Sequence, residues 1–190
     1  GRLVVTAHID AKKGTPGAID NATGVITLLL MAELLRDYAG GLQVELTAFN
    51  GEDYYAVPRQ MLFLRQNQDR FHEILLNINI DGAGLKEGPS AFSFYYLPEK
   101  IEKDIRDSIR LFDGIVEGEQ WPQGDHSIFL QMGCPAVAVS SDGLISRMDD
   151  QDITHTPKDN PEIVDCRKLV EITRALDCFV RRITCRPVNG

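Results

Sequence analysis

Residues 3–35, LVVTAHIDAKKGTPGAIDNATGVITLLLMAELL, contain the strand, loop and helix that decide the fold. The apolar and β-branched run over 3–7 predicts a buried strand, and the apolar run over 21–38 predicts a helix that ends at Gly40 and Gly41. The side chains expected on the buried face of this helix are Val25, Leu28, Leu29, Ala32 and Leu35. A buried strand followed by such a helix indicates an α/β protein built on parallel strands.

The same alternation of apolar strands and helical segments continues along the chain. We predict further strands at 42–49, 73–80, 91–97 and 134–141, and further helices from Pro58, over 98–112 and over 161–184. This pattern predicts a three-layer α/β/α fold with a mostly parallel central sheet. Because no repeat or linker divides the sequence, we expect residues 1–190 to form a single domain. Because the sequence opens in a core strand, we also expect additional elements upstream of it.

The composition is that of an ordinary globular protein with a marked negative charge. Of the 190 residues, 43% are hydrophobic and 25% are charged, and the formal net charge is −8. This charge argues against nucleic-acid binding, which depends on clustered Lys and Arg. The sequence contains neither an apolar run long enough to span a membrane nor a recognisable export signal, so no membrane partner is expected.

The cysteines give an indication of the redox environment. The four of them, Cys134, Cys166, Cys178 and Cys185, include no C-x-x-C pair, so a zinc–thiolate site is not expected. Cys178 and Cys185 lie two helical turns apart, which is too far for a disulfide bond. Buried free thiols are the favoured interpretation; they favour the cytoplasm, while export remains open.

Polar side chains that can bind a metal follow three of the predicted strands. His8 and Asp10 end the first strand, Glu52 and Asp53 follow the second, and Asp81 follows the third. In a parallel sheet these strand ends lie side by side, at the edge where ligands bind. Repulsion among the clustered acids requires a counter-charge, and a set of imidazole and carboxylate ligands suits zinc, cobalt or manganese.

Asp20 lies at the mouth of the predicted helix and allows two interpretations. Asp20 and Asn21 are both good N-caps, because their side chains accept hydrogen bonds from the free amides of the first helical turn. A carboxylate placed between two groups of ligands can instead bridge two cations about 3.5–4 Å apart. Since the neighbouring acids and histidines require cations, we favour the bridging role.

Six short blocks occur in a fixed order along most of the chain. They are AHID, PGAIDNATGV, FNGED, NINIDGAG, GDHSIF with GCPAVAV, and THTPKDNPEIVD, and they cover the chain from residue 3 to about residue 170. The blocks and their order resemble the sequence motifs of the zinc aminopeptidases and related exopeptidases of peptidase family M28. The resemblance implies the zinc-exopeptidase type of α/β fold, which is also described as phosphorylase/hydrolase-like.

The resemblance implies a pair of divalent metal ions, most commonly zinc, and the residues that hold them. His8, Asp20 and Asp81 match the ligands of one ion. Asp20, Asp53 and His155 match the ligands of the other. Asp53 stands where most family members have Glu, so we expect its shorter side chain to alter the geometry or affinity of that site.

The resemblance also gives roles to the surrounding polar residues. Glu52 matches the general base, and Asp10 matches the residue that orients the histidine of its strand. Asn21 is expected to fix its loop by hydrogen bonds. Asp125 and His126 match a block that lines the substrate cleft, although capping or packing explains His126 equally well.

Other residues depart from the family pattern. Tyr54, Tyr55 and Pro58 stand where family members usually have small residues, so we expect an altered pocket wall and an altered substrate preference. His72 matches none of the blocks, and we interpret it as a structural residue.

The function implied by the resemblance is a metal-dependent exopeptidase, in particular an aminopeptidase that acts on peptides with a free N-terminus. The sequence gives no indication of the oligomeric state. The alternatives are a glutaminyl-cyclase-like aminoacyltransferase, a non-catalytic binding module of the same fold, and a carboxypeptidase or dipeptidase. The presence of all five ligand positions and of Glu52 favours catalysis, and His8 beside Asp20 favours two metal ions.

Overall fold

One β-sheet runs through the part of the chain that the structure, a computed structural model, describes: residues 1–54, 58–148 and 150–184. Its strands are β1 (Arg2–His8), β2 (Gln43–Phe49), β3 (Ile74–Ile80), β4 (Ser90–Tyr95), β5 (Ile115–Glu117) and β6 (Ala136–Ser141). The helices are α1 (Thr23–Leu34), α2 (Pro58–Asn67), α3 (Glu99–Ile109), α4 (His126–Gln131), α5 (Asp142–Ile145) and α6 (Cys166–Thr184). Within these residues, every helix is too short or too polar to cross a membrane.

The sheet is mostly parallel, as predicted, and its first three strands lie side by side. The strand order is β2-β1-β3-β6-β4-β5. β4 runs antiparallel to β6, while the other neighbouring strands are parallel. His8 pairs with Phe49 and Thr6 pairs with Asn79, so the C-terminal ends of β1, β2 and β3 align at one edge. This alignment brings together residues that are far apart in the sequence.

Helices cover both faces of the sheet and form the three layers that the sequence predicts. Successive side chains of a strand point to opposite faces, and β1 shows this clearly. Val5 packs in a cluster with Met31 of α1 and Phe179 of α6. Val4 packs on the other face with Phe129 of α4. The predicted fold class is therefore confirmed.

Helix α1 begins later than predicted. The apolar pattern placed its start at residue 21, but the helix begins at Thr23. A π-helical segment (Ala18–Ala22) precedes it, and within this segment the backbone of Asp20 and Asn21 is not helical. Asp20 and Asn21 therefore lie in a separate segment before α1, and their side chains are not placed by the geometry of an α-helix.

The side chains that α1 buries also differ from the prediction. Leu28 is buried as expected, but Leu29 is 66% exposed and Ala32 is exposed. Met31 and Thr27 are fully buried instead, and the Thr27 hydroxyl donates a hydrogen bond within the helix. Because α1 is apolar on every side, its sequence periodicity does not identify the face that contacts the sheet.

The C-terminal helix and several short elements differ as well. α6 begins at Cys166 rather than at the predicted proline. Pro161–Ile163 forms a separate 3-10 turn, after which Val164 makes a β-bridge with Leu85. β5, α4 and α5 were not predicted, because elements of three to six residues are too short to show a periodic pattern.

The cysteines follow the prediction in part. Cys134, Cys166 and Cys178 are free thiols. Cys134 is buried as expected, whereas Cys178 is half-buried and Cys166 is exposed, so the expectation of a buried thiol is wrong for Cys166. Cys185 lies outside the described residues, so the prediction that it is too far from Cys178 for a disulfide bond stays a prediction.

Candidate metal centre

The C-terminal edge of the sheet gathers the acids and histidines that the sequence indicated. His8 is the last residue of β1, and Asp81 directly follows β3. Glu52 and Asp53 lie in the turn after β2, and Asp20 reaches the same place from the segment before α1. Since β2, β1 and β3 are neighbours in the sheet, these side chains converge on one small region.

Asp20 lies between the two histidines and joins two groups of potential ligands. Its Oδ1 lies 3.0 Å from His8 Nε2, and its Oδ2 lies 3.1 Å from His155 Nε2. Asp81 Oδ1 lies 3.4 Å from His8 Nε2, and Asp53 Oδ1 lies 2.9 Å from His155 Nε2. Two sets of three side chains, which share Asp20, are therefore spaced closely enough to hold a metal ion each.

Two buried atoms of the cluster are without a hydrogen-bond partner in the described part of the chain and are placed where a metal ion could bind. His8 Nε2 and Asp53 Oδ2 make no hydrogen bond to the described residues, and the short contact of His8 with Asp20 lacks hydrogen-bond geometry. His8 Nδ1 lies 3.0 Å from the carbonyl oxygen of Asp10. A proton on Nδ1 is bonded there, which leaves Nε2 to bind a metal. This set of imidazole and carboxylate donors fits zinc.

The electrostatics of the cluster favour a positive charge at its centre. Burial by itself lowers the pKa of His8, but the carboxylates of Asp81 and Asp20 outweigh burial and raise this pKa to about 12. Burial, followed by the charge of Asp20, raises the pKa of Asp53. The negative charges of the acids thus favour a cation at this position, either a proton on His8 or a metal ion that replaces it.

Asp10 holds the turn after β2. Its Oδ1 accepts hydrogen bonds from the amides of Gly51 (2.7 Å) and Glu52 (3.3 Å), and its Oδ2 accepts one from Asp53 (3.2 Å). Its carboxylate lies 3.8 Å from His8 Nδ1, farther than its own carbonyl oxygen. The expected orientation of His8 therefore comes from the backbone of Asp10, while the side chain positions the turn.

Asn21 forms the hydrogen bonds that fix the start of α1. Its Nδ2 donates to the carbonyl oxygen of Ile80 at 2.9 Å, and its Oδ1 accepts from the amide of Gly24 at 3.1 Å. The capping interaction thus belongs to Asn21, and the Asp20 carboxylate faces the histidines instead. The peptide bond between Asp20 and Asn21 is cis.

A cavity of about 520 Å³ opens beside the cluster. The acids and histidines that line it are Asp20, Glu52, Asp53, Asp81 and His155. The large apolar side chains that line it are Trp121, Leu144, Ile145 and Met148. Burial, followed by the charge of Asp81, raises the pKa of Glu52 to about 8. A molecule in this cavity therefore contacts both the charged cluster and an apolar wall.

Asp125 and His126 lie behind the cavity wall rather than in it, contrary to the expectation that they line the cleft. Both are fully buried. Asp125 accepts a hydrogen bond from Gln60, which does line the cavity, and burial raises the pKa of Asp125 to about 6. The His126 ring lies between Tyr95 and Trp121, with ring centroids 4.8 and 4.7 Å away. This environment favours the packing interpretation of His126.

Of the tyrosines and the proline that depart from the family pattern, only Tyr54 has a described side chain. Tyr54 is half-exposed and is absent from the described lining; its hydroxyl accepts a hydrogen bond from the amide of Lys13. Tyr55 and the side chain of Pro58 lie outside the described residues. The expectation of an altered pocket wall is therefore wrong for Tyr54. His72 is exposed in a 3-10 turn (Phe71–Glu73), in agreement with a structural role.

Asp159 belongs to the site, although the sequence did not single it out. It is fully buried, and its carboxylate accepts hydrogen bonds from the amides of Ile19 (2.6 Å) and Asp20 (3.2 Å). Its only signal in the sequence is its place in the block THTPKDNPEIVD, four residues after His155. Nothing in that spacing indicates which distant amides it binds.

The chain is thus an α/β protein with groups of potential metal ligands at the C-terminal edge of a mostly parallel sheet. The chain belongs to peptidase family M28, whose model matches residues 1–180. No curated protein matches the chain in sequence.

Solved structures with the same fold are distant in sequence. A zinc aminopeptidase from Bacillus subtilis is 20% identical, with a TM-score of 0.80 over 100% of this chain and 47% of the other. An aminopeptidase from Aneurinibacillus sp. strain AM-1 is 18% identical, with a TM-score of 0.79 over 95% of this chain and 43% of the other. The chain thus spans less than half of either aminopeptidase.

A shorter protein matches over more of its length. The glutaminyl cyclase from Porphyromonas gingivalis is 20% identical, with a TM-score of 0.79 over 96% of this chain and 73% of the other. At these identities the structures establish a shared fold, and the chemistry has to be argued from the site itself.

Proposed function

We propose that the protein is a metal-dependent exopeptidase, and specifically an aminopeptidase that uses two zinc ions. The observation that carries this proposal is the position of Asp20, whose two carboxylate oxygens face His8 and His155. Membership of peptidase family M28 supports peptide hydrolysis. The two aminopeptidases that share the fold support the choice of the N-terminal end, and the one described as a zinc enzyme supports the choice of metal.

The proposed ligands are those of the two groups. His8, Asp20 and Asp81 would hold one zinc ion, and Asp20, Asp53 and His155 would hold the other. Bound zinc supplies Lewis-acid polarisation of the scissile carbonyl and lowers the pKa of water towards neutrality. The chain itself contributes the fixed positions of these donors, because each follows a strand or lies in a hydrogen-bonded loop.

Glu52 is the proposed general base. It lines the cavity beside the ligands, in the turn that the carboxylate of Asp10 holds by three amide hydrogen bonds. In this role it accepts the proton of the attacking water and then delivers a proton to the leaving amine. Holding the turn keeps the Glu52 backbone at a fixed position relative to the ligands of the same turn.

The cavity lining also favours an amino terminus over a carboxyl terminus as the bound end of the peptide. Arg and Lys are the side chains that bind a carboxylate by charge-assisted hydrogen bonds. The described lining contains neither of them, whereas its acids can accept hydrogen bonds from an ammonium group. This argument supports an aminopeptidase rather than a carboxypeptidase.

A combined measurement of metal content and hydrolysis tests the proposal. The zinc content of protein purified without chelator is measured together with the release of p-nitroaniline from a panel of amino-acid p-nitroanilides. We expect two zinc ions per chain and hydrolysis that a chelator abolishes. Protein without bound zinc and without hydrolysis contradicts the proposal and leaves a binding module of the same fold.

Glu52→Gln separates metal binding from catalysis. The amide keeps the size of the side chain but cannot accept the proton, so we expect both zinc ions to bind and kcat to fall by about 10²–10⁴-fold. Equal kcat values for the variant and the wild type exclude Glu52 as the general base.

Glutaminyl cyclisation is the second candidate activity. It is favoured by the glutaminyl cyclase with the same fold, of which the chain covers 73%. In the test, the protein is incubated with a peptide that has an N-terminal Gln, and mass spectrometry measures the formation of pyroglutamate. Cyclisation without release of amino acids supports the cyclase, and the reverse result supports the aminopeptidase.

A further inference from the structure

One residue binds three successive amides of the segment that carries the shared ligand. The carbonyl oxygen of Asp159 accepts from the amide of Ala18 at 3.5 Å. Its Oδ1 accepts from Ile19 at 2.6 Å, and its Oδ2 accepts from Asp20 at 3.2 Å. Asp159 is fully buried, so these hydrogen bonds are shielded from water. The backbone on the N-terminal side of the Asp20 Cα is thus tied to a second loop.

That second loop is the one that carries His155. Asp159 lies four residues after His155, and the loop is closed on itself by hydrogen bonds from the Asp159 amide to the Thr156 carbonyl and from the Thr156 hydroxyl to the Ile153 carbonyl. The side chain of His155 lies 3.1 Å from Asp20 Oδ2. Asp159 therefore joins the two loops whose side chains meet at the proposed metal centre.

We propose that Asp159 is a positioning residue: it holds the Asp20 carboxylate in the position from which it can bind both metal ions. The proposal rests on the metal centre described under the proposed function, and it makes the affinities of the two sites depend on one residue that binds neither ion. A carboxylate that accepts from the amides of Ile19 and Asp20 fixes the peptide plane before Asp20, and this limits the positions that the Asp20 side chain can take. The structure contains a similar arrangement in the turn after β2, where the carboxylate of Asp10 accepts from backbone amides.

The proposal distinguishes Asp159 from the ligands of a single site. Asp81 belongs to one group and Asp53 to the other, so a change in either is expected to affect mainly its own ion. A shift of Asp20 changes the contact with His8 and the contact with His155 together. The expected signature of Asp159 is therefore a parallel loss of affinity at both sites.

Asp159→Asn tests the proposal in the full chain. The asparagine side chain has nearly the same shape as aspartate, but an NH₂ group replaces one of the two carboxylate oxygens. This group faces the amide N–H of Ile19 or Asp20, which is also a donor, so one hydrogen bond is lost. The probe is Zn²⁺ alone, titrated into protein stripped with a chelator, and circular dichroism establishes that the protein is folded at the temperature of the titration. We expect the zinc dissociation constants of both sites to rise by about 10–100-fold.

Asp152→Asn is the matched control on the same loop. Asp152 is exposed and pairs with Lys158, and its carboxylate makes no described contact with the 18–20 segment. We expect both zinc dissociation constants to stay within about twofold of the wild type, because surface substitutions have small effects. Asp159→Glu keeps the carboxylate, and we expect it to restore part of the affinity.

The outcomes separate this inference from the function on which it rests. If wild-type protein binds no zinc, the metal centre itself is wrong. If wild-type protein binds two ions, and folded Asp159→Asn binds both with unchanged affinity at a reduced Tm, Asp159 is only structural and the inference is overturned. If Asp159→Asn does not fold, Asp159→Glu decides, because its longer side chain displaces the carboxylate from the two amides. Wild-type affinity at both sites or a loss at one site only overturns the inference, and a partial, parallel loss at both sites supports it.

Discussion

At the scale of single residues, His155 offers the sharpest test of the division into two metal sites. Its Nε2 contacts Asp20 and Asp53 but belongs to only one of the two ligand groups, whereas His8 anchors the other. We therefore expect His155→Ala to retain one zinc ion per chain where the wild type retains two, as measured by elemental analysis after dialysis. His72→Ala is the control, because His72 is exposed in a 3-10 turn, and it should keep both ions. A full zinc content in His155→Ala removes His155 from the ligands.

The described thiols give a second prediction at this scale. Cys134 is buried, and burial raises its pKa to about 12, so little reactive thiolate is present at neutral pH. Cys166 is exposed at the start of α6. We expect iodoacetamide to alkylate Cys166 in the folded protein and to leave Cys134 unmodified, as read from peptide masses. Both should react in guanidinium chloride, and rapid alkylation of Cys134 in the folded protein contradicts the burial described.

At the scale of elements, α1 allows a direct measurement of which face packs on the sheet. Met31 is fully buried in the main core cluster, whereas Leu29, two residues away, is 66% exposed. We expect Met31→Ala to lower the free energy of unfolding by about 2–5 kcal/mol, and Leu29→Ala to change it by less than about 0.5 kcal/mol. Urea unfolding with unchanged m-values measures both. Similar losses for the two variants contradict the assignment of the buried face.

The same helix shows which features of the elements could be predicted from the sequence. The strand ends could be predicted, because β1, β2 and β3 are rich in apolar and β-branched residues and are followed or ended by polar residues such as His8 and Asp81. The buried face of α1 could not, since apolar residues surround the whole helix and the sheet alone decides which of them it covers. The start of α6 was missed because Val164 pairs with Leu85, a contact over long range that interrupts an apparently continuous helix.

At the scale of the whole molecule, the site depends on contacts between loops that the sequence does not specify. The resemblance to a family placed His8, Asp20 and His155 in one site, and the structure brings them together. The hydrogen bonds of Asp159 to the 18–20 segment and of Asp10 to the turn after β2 were not predicted. They depend on which backbone amides face a carboxylate after folding, and no local pattern encodes that geometry.

The whole molecule should also be more stable with metal than without it, because the acids at the strand ends repel one another until a cation compensates them. Free zinc at about 100 times the dissociation constant stabilises a folded protein by about 2.7 kcal/mol per site. We therefore expect zinc to raise the Tm of chelator-stripped protein, as followed by differential scanning calorimetry. Asp20→Asn removes the carboxylate that both sites share, so most of this increase should be lost in the variant. An equal increase in the variant and the wild type means that zinc stabilises the fold from a position other than the proposed centre.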